Sequence, residues 1–243
     1  MNIHSLLMGA ASPASRPRID PAGRREAILR AALDVFCERS FDGAPVPLVA
    51  ERAGVAAGTI YRHFPGKEAL GNAVYRRWKR EMRRALLERM PRGAPPRAGF
   101  SHLWHSLWRF AARHPIAFRF LETHHHDDYL DEESRAESRA LDAAVEAFVA
   151  RSQRAGAMRE GDPAELIATA FGAFVGLFRA VAEGRLTPTP ELERRTGEAV
   201  WRMLARVEKA PPGGPSAGRS DSSDRPSAGR PGAATDHEEG EKT

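Results

Sequence analysis

The chain has 243 residues, with 42% apolar, 28% charged and only 7% aromatic residues and a formal net charge of +5. A single cysteine, Cys37, excludes an intrachain disulfide framework and any CxxC redox or zinc motif. No uninterrupted apolar run reaches the roughly 20 residues that a bilayer crossing needs, so no membrane partner is expected. The charge is uneven. Residues 1–90 hold 16 Lys/Arg against 9 Asp/Glu, residues 91–209 hold 17 of each, and residues 210–243 hold 4 against 6. Basic excess confined to one third of a chain points either to a polyanion partner, which Lys and Arg bind by displacing counterions, or to a solvated basic surface.

Taken in chain order, residues 1–19 carry turn formers and charge without periodicity and are expected to be a disordered arm. Leu6-Leu7-Met8 lacks a preceding positive residue and is too short for an export signal, which predicts a cytoplasmic protein. Asp20-Pro21 has the form of an N-cap followed by a first-turn proline. From there Ile28, Ala32, Val35 and Phe36 fall on one helical face to about Ser40. After Gly43, Pro45 and Pro47, a short helix is predicted over Leu48–Ala53, ending at Gly54. A second follows over Ala57–Phe64, and a longer one runs from Lys67 to about Arg89. Pro91-Arg92-Gly93-Ala94-Pro95-Pro96 is the strongest internal break. Beyond it, helices are expected from about Gly99 to His114, from Pro115, from Asp131 to about Arg154, from Asp162-Pro163 to about Glu183, and from Thr189-Pro190 onward. The last helix is predicted to turn Leu192, Thr196, Ala199, Val200, Met203, Leu204 and Val207 inward. Residues 210–243 contain no Val, Ile, Leu or aromatic residue. With nothing to bury, they are expected to be a disordered tail. The fold class is therefore all-α, with about nine helices. A helix-turn-helix head with its connecting helix is expected over 20–90 and a second helical domain over 91–209.

Two short helices joined by a glycine turn inside the basic third suggest a helix-turn-helix, whose second helix enters the major groove. Gly54 suits a turn that a Cβ resists. Ala57 and Gly58 keep the start of the second helix slim enough to approach DNA. The run Val49-Ala50-Glu51-Arg52-Ala53-Gly54-Val55-Ala56-Ala57-Gly58-Thr59-Ile60-Tyr61-Arg62-His63-Phe64-Pro65-Gly66-Lys67-Glu68-Ala69-Leu70 closely resembles the TetR family of bacterial transcriptional regulators. The likeness covers about residues 24–75. The resemblance implies DNA contacts from Thr59, Tyr61, Arg62, His63 and Lys67, with Ala57, Gly58, Val46 and Pro47 on the same surface. Ile60 and Phe64 are expected in the core. Two positions depart from the pattern: Ala44-Pro45 stands where the family favours Thr-Thr or Thr-Ser, and Ala56 stands where it favours Ser. Loss of a side-chain cap costs about 1 kcal/mol.

Residues 91–209 hold most of the bulky apolar chains. Trp104, Trp108, Phe118, Phe120, Phe148, Phe171 and Phe174 are candidate walls of a ligand pocket, or an ordinary helical core. His124-His125-His126-Asp127-Asp128, with Glu122 and Tyr129 nearby, is the conspicuous polar cluster. It fits a divalent metal, a pocket lining through His124, or a solvated turn. Consecutive helical residues point about 100° apart, so at most two of the three histidines converge. Gly172 and Gly176 share a helix face and, with Val175, Val200 and Met203, are candidates for a dimer interface or for packing within one chain. The resemblance implies a homodimeric regulator, expected to be a repressor. It would bind a palindromic double-stranded operator and be released by a small-molecule effector, with no cofactor and no enzymatic activity. The alternative is a metal-sensing regulator or a metal-dependent enzyme built on His124–Asp128.

Overall fold

The computed structural model describes residues 21–91, 93–123, 126 and 128–206. Among the described residues there are nine helices: α1 (Pro21–Arg39), α2 (Val46–Ala53), α3 (Ala57–His63), α4 (Lys67–Leu87), α5 (Pro96–Arg113), α6 (Pro115–Thr123), α7 (Glu132–Arg154), α8 (Pro163–Ala182) and α9 (Pro190–Leu204). The β structure among them is one isolated antiparallel bridge, Met158 to Ala205. The expected arm at 1–19, the tail at 210–243 and the Asp20 cap lie outside the described residues.

Local chemistry sets most helix starts. The Asp131 carboxylate accepts from the Ser134 N–H at 2.8 Å, the Asp162 carboxylate from Ala164 at 2.9 Å, and the Thr189 hydroxyl from Leu192 at 3.1 Å. Each satisfies one N–H that the first helical turn leaves without a partner. Pro163 and Pro190 occupy first-turn positions where a missing N–H costs nothing. The same tolerance carries α2 back to Val46 and α5 back to Pro96, earlier than the expected Leu48 and Gly99. No side chain caps α2 or α3, whose N-cap residues are Pro45 and Ala56.

One continuous apolar core runs through residues 21–206. In the head, Ile28, Val35 and Phe36 of α1, Val49 of α2, Ile60 of α3 and Leu70 of α4 are all at most 1% exposed. Burying a side chain of this size contributes about 1.5–3 kcal/mol. The long helix α4 starts in this head core with Leu70, Ala73 and Val74 and continues to Met82 and Leu86 in the second half, where α5 and α7 pack on it. Helix α6 closes the other side of the head, with the Phe120 ring stacked 6.2 Å from that of Phe36.

The inner face of α9 differs from expectation. Leu192, Val200 and Leu204 are buried, together with Gly197 and Trp201, whereas Thr196 is only partly buried, Ala199 is exposed, Met203 is 39% exposed and Val207 lies outside the described residues. Gly197 faces inward because the Trp104 indole occupies the space beside it and leaves none for a Cβ: a Cβ there would sit 2.8 Å from Trp104 Cδ1. Helix α8 is 20 residues long and strongly apolar, with two charged side chains, Glu165 and Arg179. Yet only Leu166, Phe174 and Ala180 of it are buried within the chain.

Candidate nucleic-acid interface and internal cavity

The turn between α2 and α3 is made by Gly54, whose φ of 67° and ψ of 33° are left-handed. Its N–H and that of Val55 bond to the Glu51 and Ala50 carbonyls, both at 3.0 Å, closing the end of α2. Val49 and Ile60 lock the two helices together from inside. The outer surface of α3 then carries Gly58, Tyr61 and Arg62, with Tyr61 54% exposed. His63 is partly buried beside Phe64. Thr59 is nearly buried, and its hydroxyl accepts from Arg62 Nη2 at 3.3 Å. Pro47 is exposed on α2. Val46 is only 8% exposed and packs in the head core, so it does not belong to the outer surface where the sequence placed it. A valine in the first turn of a helix this short faces inward when the following proline faces out.

Lys67 opens α4, where helix N–H groups and positive charge coincide. Its Nζ donates to the Asp42 carbonyl at 2.8 Å and stands 4.8 Å from the Phe41 ring centroid. Arg25 lies over the Phe64 ring at 5.3 Å. Arg52 is tied to Glu38 by two short hydrogen bonds of 2.6 and 2.5 Å, and these hold the Glu38 carboxyl below its ordinary range.

A cavity of about 370 Å³ opens between α4, α5, α7 and α8. Trp104, Phe148, Phe171 and Phe174 line it, as do Met82 and Leu86 of α4. Trp108, Phe118 and Phe120 do not. Phe118 is fully buried behind the wall, its ring 5.5 Å from Phe174 and 4.5 Å from Phe178. Phe120 is turned toward α1, and Trp108 meets the far edge of Phe174 at 6.1 Å. Periodicity marks all three as inward-facing, but not which side of the aromatic layer they occupy. The wall also holds Lys79, Glu122, Asp142 and Glu146. Burial pushes the Glu122 carboxyl above its ordinary range; Lys79 opposes this and Asp142 adds to it. In sequence, Glu122 stood out only as a neighbour of the histidine cluster.

His126 is not free to bind a metal. It is 7% exposed, its Nδ1 accepts from the Tyr129 hydroxyl at 2.6 Å, and its Nε2 pairs with the Phe120 carbonyl at 2.7 Å. Asp128 is exposed, while His124, His125 and Asp127 lie outside the described residues. His102 bonds the Leu86 carbonyl at 3.1 Å and His105 pairs with Glu193. Among the described residues, no three His, Cys, Asp or Glu side chains are gathered as a metal site.

Of the candidate interface residues, Gly172 and Gly176 lie on the open side of α8, where a Cβ at either position would meet nothing within 4 Å, and Val175 is partly buried beside them. Met203 is on the open side of α9. Val200 is 5% exposed within the chain, so it is a core residue and not an interface one. The helical period that puts Val200 near Met203 also puts it against the Trp201–Leu204 core.

Residues 28–74 match the family described as bacterial regulatory proteins, tetR family, and residues 75–206 match the tetracyclin repressor-like C-terminal domain. Among curated proteins, the HTH-type transcriptional regulator RutR of Escherichia coli (strain K12) is 44% identical over 55 residues, 23% of this chain and 26% of its own length. The HTH-type transcriptional repressor KstR2 of Mycolicibacterium smegmatis is 36% identical over 56 residues, 23% of this chain and 27% of its own. The match thus spans about a quarter of these relatives. Among solved structures, a TetR family transcription regulator from Marinobacter aquaeolei VT8 aligns with a TM-score of 0.69 at 25% identity, covering 76% of this chain and 96% of that one. A TetR family protein from Vibrio parahaemolyticus aligns with a TM-score of 0.62 at 26% identity, covering 76% and 100%. With both halves matched in order around the helix-turn-helix of α2 and α3, the chain belongs to the TetR family of bacterial transcriptional regulators.

Proposed function

We propose that the chain is a cytoplasmic repressor that binds a roughly palindromic operator as a homodimer and is released by a small molecule in the 370 Å³ cavity. The observation that carries this reading is the course of α4. Its first turns hold the head through Leu70 and Val74, and its later turns supply Lys79, Met82 and Leu86 to the cavity wall. A ligand that displaces the wall therefore acts on the helix that orients α3. The shift it causes is limited to its difference in affinity for the two conformations. Residues 20–90 then serve as the DNA-binding half and residues 91–209 as the sensing and dimerising half.

On this reading α3 lies in the major groove, with Gly58 at the closest approach, Tyr61, Arg62 and Thr59 toward bases or backbone, and His63, Lys67, Ala57 and Pro47 toward phosphates. The open apolar side of α8, around Gly172, Val175 and Gly176, supports dimerisation, joined by Met203 of α9. Gly176→Arg is expected to yield a monomer in analytical ultracentrifugation.

The decisive experiment selects operator DNA from a random pool and follows binding against salt. Arg62→Ala is expected to cost about 1–3 kcal/mol if it meets a base edge. Lys67→Ala is expected to weaken all sequences alike and to reduce the salt slope by about 1. Wild-type affinity and slope in both variants would place the DNA surface elsewhere.

A further inference from the structure

The polar part of the cavity wall has a definite sign. Three carboxylates, Glu122 on α6 and Asp142 and Glu146 on α7, face the cavity together with one ammonium, Lys79 on α4. The lining residues contributed by α5, α8 and α9 bring no charge. The Lys79 ammonium stands 5.8 Å from the centroid of the Tyr75 ring on its own helix and attracts the Glu122 carboxyl across the wall, one positive charge against three carboxylates. Glu122 is only partly exposed, and among the described residues its carboxyl has no hydrogen bond and no ion pair. A carboxyl in that position is costly unless something pairs with it. The remaining wall is apolar and aromatic, with Phe100, Trp104, Phe171 and Phe174 among its members. The Trp104 indole N–H is already spent on the Glu193 carbonyl at 3.1 Å, so this ring offers the cavity a π surface and not a donor. Aromatic faces attract cations and give nothing comparable to anions.

We propose that the cavity takes an organic cation, an amine or quaternary ammonium on an aromatic or aliphatic body, with its charge beside Glu122 and its body among Trp104, Phe171 and Phe174. The inference rests on reading the cavity as the effector site. Its volume of about 370 Å³ suits a small ligand, near the lower end of the usual 300–1,000 Å³. Asp142 and Glu146, both exposed lining residues of α7, add the same sign to the wall and draw a cation toward it. A ligand carboxylate meets the reverse: three like charges against one ammonium.

The test uses the full chain and three naphthylmethyl probes: naphthylmethyl-trimethylammonium, its uncharged carbon isostere neopentylnaphthalene, and naphthylacetate, which has the same aromatic body and a smaller anionic head. Affinities are read by calorimetry or by displacement of a fluorescent dye. The ammonium is expected to bind at least tenfold tighter than the isostere, and naphthylacetate weakest. Glu122→Gln is expected to lower ammonium affinity about tenfold while leaving the isostere within twofold, which also shows that the variant is folded. Asp142→Asn is expected to lower it two- to threefold. Ile167→Trp, which fills the cavity from α8, is expected to abolish binding of all three. Equal affinities, or a preference for naphthylacetate, with binding still abolished by Ile167→Trp, overturns the cation assignment and leaves the cavity as effector site. Ammonium binding that survives Ile167→Trp places the site elsewhere and overturns both. No binding by any probe, or an unchanged affinity in Glu122→Gln, overturns the proposal.

Discussion

The side-chain amide of Asn72 on α4 donates to the backbone carbonyl of Tyr129 at 2.7 Å, joining the helix that leaves the head to the segment that enters α7. The same side chain accepts from the Asp131 N–H at 2.9 Å, and Arg76 one turn later bonds the Asp131 carboxylate at 2.7 Å. Farther along α4, Arg80 bonds Glu137 at 2.6 Å and Glu133 at 3.1 Å. The surface ion pairs contribute little individually. The Asn72 bonds are the buried part of this seam.

Replacing Asn72, which is 3% exposed, by Leu keeps its bulk but strands the Tyr129 carbonyl and the Asp131 N–H. The expected cost is about 2–3 kcal/mol in urea denaturation. A change under about 0.5 kcal/mol would show that water or a backbone shift replaces both bonds.

Gly58 offers a separation of folding from DNA binding. A Cβ built there meets nothing within 4 Å, and the residue is exposed on α3. Gly58→Leu is expected to leave stability unchanged or raise it by up to about 1 kcal/mol, because glycine is a poor helix former. Operator affinity is expected to fall at least tenfold, since the added side chain holds the helix away from the groove. Both quantities are read on one preparation, by denaturation and by fluorescence anisotropy.

At Gly197 the opposite holds. A Cβ would lie 2.8 Å from Trp104 Cδ1 and 3.0 Å from Nε1, atoms near the root of a rigid, buried side chain. Overpacking costs about 1–3 kcal/mol, more than the roughly 1 kcal/mol that alanine gains in helix propensity. Gly197→Ala is therefore expected to lower the melting temperature. Because Trp104 is also cavity wall, probe binding is expected to weaken with it.

Glu122 gives a pH dependence of defined sign. Burial raises its carboxyl above the ordinary value near 4.5, so the folded chain keeps a proton that the unfolded chain has lost. The stability from this group is full below about pH 4.5 and is lost as pH rises through the raised value. Glu122→Gln removes that loss. The variant is expected to be more stable than the parent at pH 7 and no more stable at pH 4, measured by urea denaturation across the range. A constant difference over that range would show that the carboxyl titrates alike in both states.

The helices were legible because their signals are local. Asp131, Asp162-Pro163 and Thr189-Pro190 start helices by chemistry confined to one turn, and Gly54 ends α2 because its φ is positive. The head was legible for a related reason: α2, the glycine turn and α3 are consecutive, so the run from Val49 to Leu70 holds nearly the whole motif. Even there, the inward turn of Val46 depends on how α2 seats against α1, which a motif does not state.

The sequence by itself determined an all-α chain of the TetR family, with its basic excess in the head and its aromatic residues concentrated in the second half. Tertiary structure alone decided what those aromatic residues do. Phe118, Phe120, Phe171 and Phe174 all point inward by periodicity, yet only the last two reach the cavity, because facing α1 or facing α8 is settled by helix packing. The same packing retired His126 into bonds with Tyr129 and Phe120 and gathered Lys79, Glu122 and Asp142 from three helices onto one wall. Sequence distance carries no trace of such a grouping. It forms only when three helices fix their rotation by burying their own apolar faces.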